Sequence, residues 1–219
     1  MTPDQFVTDA VRTESKIPNV TLNPRFFTDL TDAIISLGTI LDQVKKHTFY
    51  KKPYDTNKML RLLNAVKINT DMMIEDVETG YWELPEHVQP QKINPRHFHS
   101  VVGIATEAVE LLQAIKLDSD EVDEVNLREE FGDLLWYIAI GVDETGGNLE
   151  GVMDRVIAKL RARFPDKFTN ENANNRDLVK ERLILECKHP DEAIRAQRPG
   201  AGESMQPLLC TKCGQEVEC

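Results

Sequence analysis

The sequence predicts an all-α protein. Apolar residues recur at helical spacing through most of the chain, Asn-Pro pairs stand where helices should begin, and no stretch alternates apolar and polar residues as a half-buried strand would. Residues 1–22 make a short amphipathic start. In "TLNPRFFTDLTDAIISLGTILDQVKKH" Asn23 can cap a helix and Pro24 can occupy its first position, so a helix of about six turns should follow. After the turn "YKKPYDTNK", a second apolar periodicity (Met59, Leu62, Leu63, Val66, Ile68, Met72, Met73) runs toward Gly80, and the two segments read as a helical hairpin.

The three prolines of "GYWELPEHVQPQKINP" make a connector that ends at Asn94-Pro95, the same cap-then-proline signature. A third helix should run from there to about Lys116. A fourth begins near Asn126 and stops before Gly146-Gly147, a fifth, "NLEGVMDRVIAKLRARF", stops at Pro165, and "RDLVKERLILECK" makes a shorter sixth. The polar linker "AQRPGAGESMQP" then separates the helices from a cysteine-bearing tail. No repeat of fixed period runs through the chain.

A chain of 219 residues can bury a real core, and its formal net charge of −11 disfavours nucleic acid or anionic lipid as a partner, because either would be repelled at long range. No apolar run is long enough for a membrane span, and "MTPDQFVTDAVRTESK" lacks a charged-then-apolar leader pattern, so a cytoplasmic location is expected. All four cysteines fall late in the chain, at Cys187, Cys210, Cys213 and Cys219. In a reducing compartment such clustering favours metal over disulfides. Cys187 and His189, with the Cys-x-x-Cys of Cys210 and Cys213, supply four zinc-type ligands in two close pairs, leaving Cys219 spare. A fully protein-filled site of this kind would be structural, or would present a surface to a partner.

Four acids stand out against the helical pattern. Val101, Val102, Ile104, Ala105, Ala108, Val109, Leu111, Leu112 and Ile115 cover most of the third helix, leaving a narrow stripe of His99, Gly103, Thr106, Glu107 and Glu110. On the fourth, Leu127, Phe131, Leu134, Leu135, Ile138 and Val142 make the expected core face, with Glu130, Asp133 and Tyr137 on an adjoining stripe. The run "LLWYIAIGV" after Asp133 carries no charge on any face, and an isolated carboxylate there would be costly unless something positive lay nearby. The short loop between the helices should make them antiparallel and bring the two acid pairs face to face. One Glu-x-x-Glu is usually a solvated face; two such pairs on consecutive helices, each beside apolar surface, point to a divalent cation. Oxygen donors without His or Cys suit Mg²⁺ or Mn²⁺, and a di-iron bundle would show Glu-x-x-His. On the fifth helix Lys159 and Arg163 are neighbours four apart, a pair suited to a polyphosphate as well as to an ordinary basic helix end.

The segments "HFHSVVGIATEAVELLQAIK", "NLREEFGDLLWYIAI" and "KLRARFPDKFTNENANNRDLVKER" together resemble the MazG-like nucleoside triphosphate pyrophosphohydrolases, particularly the short versions of tailed phages, and the opening "MTPDQFVTDAVRTES" is similar to the start of those proteins. The likeness covers residues 97–183 and, more weakly, the first fifteen; residues 23–92 resemble nothing nameable. It implies an all-α bundle, commonly dimeric or a higher homo-oligomer, in host cytoplasm if phage-encoded. It also implies Mg²⁺-dependent hydrolysis of a (deoxy)nucleoside triphosphate to monophosphate and pyrophosphate. Carried onto this chain, the metal ligands are Glu107, Glu110, Glu130 and Asp133. Metal-activated water attacks the α-phosphorus, Lys159 and Arg163 neutralise the leaving group, and His99 is a candidate substrate contact. The chain departs from the family at Thr106, where many members have a further Glu, and at Val156, where many have Asn. The expected organisation is a helical segment and hairpin over 1–92, the MazG-like core over 93–186 and the Cys/His tail over 187–219. Two other readings stand beside this one: a hydrolase of alarmone or cyclic signalling nucleotides, and a non-catalytic interaction protein bearing a zinc tail.

Overall fold

The structure is a computed structural model that describes residues 1–83, 92–115, 121–185, 194–195 and 209–210. Its helices are α1 (Pro3–Val11), α2 (Pro24–Tyr50), α3 (Thr56–Thr79), α4 (Pro95–Ala114), α5 (Glu124–Glu144), α6 (Leu149–Arg163), α7 (Asn170–Asn174) and α8 (Leu178–Leu185). The all-α expectation holds, with one addition. Ile194–Arg195 and Leu209–Cys210 form a two-residue antiparallel ladder, β1 with β2, in which Ile194 opposes Cys210. Two residues are too few to produce a readable alternation, so such a ladder leaves no periodic trace in sequence.

Both Asn-Pro signatures act as caps. Asn23 Oδ1 accepts from Arg25 N at 2.9 Å and Phe26 N at 3.3 Å, while Asn94 Oδ1 accepts from Arg96 N at 2.9 Å and His97 N at 3.2 Å. At the other ends, Gly80 (φ 76°) closes α3 and Gly146 (φ 69°) follows α5, each in the left-handed region that glycine enters without strain.

The chain divides into two compact units. The first comprises Met1–Pro18, Ile93–Lys167 and Asp177–Cys219; the second comprises Asn19–Lys92 and Phe168–Arg176. The second unit is the hairpin of α2 and α3 with the short α7. Its open end is tied by Asn23 Nδ2 donating to the Tyr81 carbonyl and by an Arg25–Asp76 ion pair at 3.2 Å, Asp76 being buried. Near the turn, Asp55 N donates to Gln43 Oε1 at 3.0 Å and the His47 ring stacks on Tyr54. α7 joins through Asn174 Nδ2, which donates to the Tyr50 carbonyl at 3.2 Å.

The first unit is built on α4 and α5, which run antiparallel. Asn94 meets Glu144 at one end, Ser100 meets Tyr137 midway, and Glu107 meets Glu130 at the other. The helices approach closely because small residues line their contact. A Cβ on Gly103 would lie 2.1 Å from the Tyr137 ring, one on Gly141 would lie 2.4 Å from Ser100 Oγ, and Ser100 Oγ donates to the Tyr137 carbonyl at 2.8 Å. This contact turns the acidic stripes of the two helices toward each other, as the antiparallel order implies, and leaves part of the apolar pattern outside. Ser100, Gly103, Glu107 and Glu130 are buried, whereas Val101, Val109, Leu112, Ile115, Phe131 and Leu135 are exposed. Close packing selected the narrow stripe of small and polar residues, which a bulkier apolar stripe would have held further apart.

α1 packs against α5 and α6. Trp136 Nε1 donates to Thr13 Oγ1 at 2.9 Å, and the Arg96 guanidinium grips both oxygens of Glu14, Nε lying at 2.9 and 3.0 Å. Arg96 also reaches Asp143 at 2.8 Å and Glu144 at 2.7 Å, so one cation faces three carboxylates. Glu14 above all, then Asp143 and Glu144, hold the guanidinium proton more firmly than usual. Glu144 is pulled below the ordinary glutamate range by Asn94 first and Arg96 second, so its contribution to stability is full at neutral pH and is lost as the pH falls through that lowered value.

Two substitutions test this packing by urea denaturation. Gly103→Ala should lower stability by about 1–3 kcal/mol through overpacking against Tyr137, and the loss should shrink when Tyr137→Ala is combined with it. Glu14→Ala should cost about 3 kcal/mol, as when one partner of a buried pair is removed. Arg96→Ala should cost more, because it leaves three carboxylates facing one another, and that excess should diminish on acidification.

Candidate metal centre

Glu107 on α4 and Glu130 and Asp133 on α5 bring one carboxylate oxygen each to within 4.8 Å of one another. Glu130 and Asp133 are one turn apart on α5, and Glu107 meets them because α4 runs antiparallel at close range. Glu107 and Glu130 are 8% and 5% exposed, while Asp133 is exposed and opens the group to solvent. Burial raises the Glu130 carboxyl above the usual range first; a hydrogen bond with Glu107 and the negative charges of Glu107, Asp133 and Glu129 raise it further. The folded chain therefore resists ionisation of Glu130, and that penalty fades as the pH falls through the raised value. Three converging oxygens with no nitrogen or sulfur ligand form a donor set that fits a hard divalent cation.

Tyr137 lies one turn beyond Asp133 on the same stripe. Burial, then Glu107, Asp133 and Glu110, push its phenol up, so it stays a neutral hydroxyl. Its ring fills the space left by Gly103 and meets His99 edge-on at 5.4 Å, while Trp136 meets both at 5.7 and 4.8 Å. Beside this aromatic trio lies a cavity of about 630 Å³. Phe98, His99, Val102 and Tyr137 give it an apolar wall, Glu14 to Pro18 form another, and Arg96 and Glu144 contribute charge.

Of the residues singled out from sequence, Glu107, Glu130 and Asp133 converge and His99 lines the adjoining cavity. Glu110 is exposed on α4 and lies outside the close group, although its charge is felt at Tyr137. Lys159 is half-buried on α6. Arg163, one turn on, is held in a two-pronged pair with Glu181 of α8, Nε to Oε1 at 2.8 Å and Nη2 to Oε2 at 2.6 Å. Cys187, His189 and Cys213 lie outside the described residues, and Cys210 is placed only as backbone in β2.

Sequence reasoning put Tyr137 on the acidic stripe but missed the cavity wall supplied by residues 14–18. Glu14 and Arg96 are 82 positions apart, so no local period links them.

No described helix is long and apolar enough to cross a membrane. No curated protein and no solved structure matches the chain. Residues 96–168, which carry the three converging carboxylates together with His99, Lys159 and Arg163, match the family model described as the MazG nucleotide pyrophosphohydrolase domain.

Proposed function

We propose that this protein is a divalent-metal-dependent nucleoside triphosphate pyrophosphohydrolase, converting a (deoxy)nucleoside triphosphate and water to the monophosphate and pyrophosphate. The observation that carries the reading is the convergence of Glu107, Glu130 and Asp133, two of them buried, inside the segment that matches a nucleotide pyrophosphohydrolase domain. Buried acids so close repel one another unless a cation or a proton compensates them, and the raised Glu130 carboxyl expresses that strain.

In this reading Glu107, Glu130 and Asp133 hold Mg²⁺ or Mn²⁺. The bound ion supplies Lewis-acid polarisation of phosphate oxygens and activation of water. Glu110, exposed and one turn beyond Glu107, completes the ligand set or takes the proton of the attacking water. Lys159 neutralises the departing pyrophosphate. Arg163 is already engaged by Glu181, so it reaches phosphate only by exchanging that partner. The cavity beside the acids takes the nucleoside, its base against Phe98, His99 and Tyr137. The exposed Val101, Val109, Phe131 and Leu135 support association of α4 and α5 with further copies of the chain. A zinc site of Cys187, His189, Cys210 and Cys213 belongs to the same reading, supported by the pairing of Ile194–Arg195 with Leu209–Cys210.

Two measurements test the reading. With a nucleotide panel and Mg²⁺, the protein should release equimolar monophosphate and pyrophosphate. Glu107→Gln or Asp133→Asn should each lower kcat about 100-fold or more, since losing a group that merely supports a metal ligand already costs 10–100-fold. Turnover unchanged by both substitutions would overturn the assignment. Separately, Glu130→Gln should raise the Tm of the metal-free protein by relieving carboxylate repulsion, while removing the Tm increase that Mg²⁺ gives the unsubstituted chain.

A further inference from the structure

The hairpin of α2 and α3 lies outside the matched segment and leaves much apolar surface open. Along α2, Ala33 and Ser36 are buried and Ile40 and Gln43 half-buried; along α3, Met59, Leu62, Val66 and Met73 are half-buried. Each series alternates steps of three and four or multiples of them, the spacing of a coiled-coil seam, and marks where the two helices of the hairpin meet. One residue further along each helix runs a second seam, continuous on α2 and interrupted on α3 by Lys67 at the position after Val66. Ile34, Leu37, Leu41 and Val44 on α2 and Leu60, Leu63, Ile74 and Val77 on α3 are between 38% and 60% exposed.

A step of one residue turns about 100° around a helix. Because α2 and α3 run in opposite directions, the same step turns both outer seams toward one side of the hairpin. Inner and outer seams nearly at right angles are what each helix of a four-helix bundle carries, so this hairpin has the form of half a bundle. A cavity of about 260 Å³, lined by Phe26, Thr70, Met73, Ile74, Val77 and Glu78, opens among the outer-seam residues of α3.

Charge identifies what covers this face. Residues 24–79 carry eight Lys or Arg and eight Asp or Glu, a neutral segment in a chain of net charge −11. The charges are sorted by end. From Asp42 to Lys67, around the turn, there are seven cations and two acids. Toward the open end, residues 24–41 and 68–79 hold six acids, of which Asp76 is buried against Arg25, the one cation there. Neither a uniformly basic nor a uniformly acidic partner matches such a surface, whereas another copy of it does.

We propose that the outer face of the α2–α3 hairpin docks on the same face of a second copy of this chain, with the two turns at opposite ends, forming an antiparallel four-helix bundle. The other twofold arrangement, with both turns at one end, would set like charges against each other at both ends. In the antiparallel arrangement Lys67, near the middle of α3, lies about one turn from Asp71 of the second copy. This inference uses no catalytic residue and stands independently of the reaction proposed above.

The test is zero-length carbodiimide cross-linking of the full-length protein, mixed from unlabelled and heavy-isotope-labelled chains so that links between copies are separated by mass from links within one. Mixed-isotope links joining Lys67 to Asp71 or Glu78 are expected. All four positions to be changed are exposed, so the variants should fold. Arg61→Glu/Lys67→Glu and Asp71→Lys/Glu78→Lys should each lower the yield of hairpin links between copies at the unchanged positions, where amine and carboxylate both remain, about tenfold or more when alone. Mixing the two variants should restore links, now between positions 67 of one and 71 of the other. Absence of mixed-isotope hairpin links in the unsubstituted protein, an unchanged yield in either variant alone, or failure of the mixture to recover would overturn the proposal. Association through other helices leaves this readout unaffected, because only hairpin positions are scored.

Discussion

The close approach of α4 to α5 is the constraint on which the rest of the first unit depends. Gly103 and Gly141 let a tyrosine ring and a serine hydroxyl occupy space that a Cβ would fill. With the helices this near, residues on the same stripe are forced inward together, and Glu107 and Glu130 are buried whatever their charge costs. The acidic group is thus a consequence of packing geometry, since α4 and α5 present their smallest side chains to one another at the middle and their carboxylates one turn further on. The repulsion this stores appears as the raised Glu130 carboxyl, and a compensating cation would discharge it.

The same contact leaves the bulkier apolar face of each helix outside. Val101, Val109, Phe131 and Leu135 form surface that a soluble helix pair would normally turn inward. The hairpin shows the same economy for a different reason: its two long helices meet along one seam, and on α2 and α3 only Ala33, Ser36 and Asp76 are buried. In both places the single chain satisfies its backbone and caps while leaving apolar area that a further layer could cover.

Two ion-pair systems hold the first unit around its site. Arg96 gathers Glu14, Asp143 and Glu144 from separate parts of the chain, and Arg163 clasps Glu181 across α6 and α8. Both guanidinium groups make more than one hydrogen bond to a carboxylate, the geometry in which arginine gains most. The first system also holds residues 14–18 as a cavity wall, although they lie far in sequence from the other residues that line it.

Much of this was legible in the amino acids. The helices and their Asn-Pro starts follow from caps and periodicity, the antiparallel order of α4 and α5 follows from their short loop, and Glu107, Glu110, Glu130 and Asp133 could be named as candidates from their spacing, although only three of the four converge. What sequence could not settle was how closely α4 and α5 approach along that stripe, and so how much of the apolar pattern stays outside. Periodicity weighs hydrophobicity, whereas the contact was decided by side-chain volume at Gly103, Ser100 and Gly141. Nor could it join Glu14 to Arg96, Arg163 to Glu181 or Ile194 to Cys210, because those partners are related only through the fold. Local chemistry therefore determined the elements and the candidate ligands, and tertiary packing decided which ligands meet, since two helices approach most closely where their side chains are smallest.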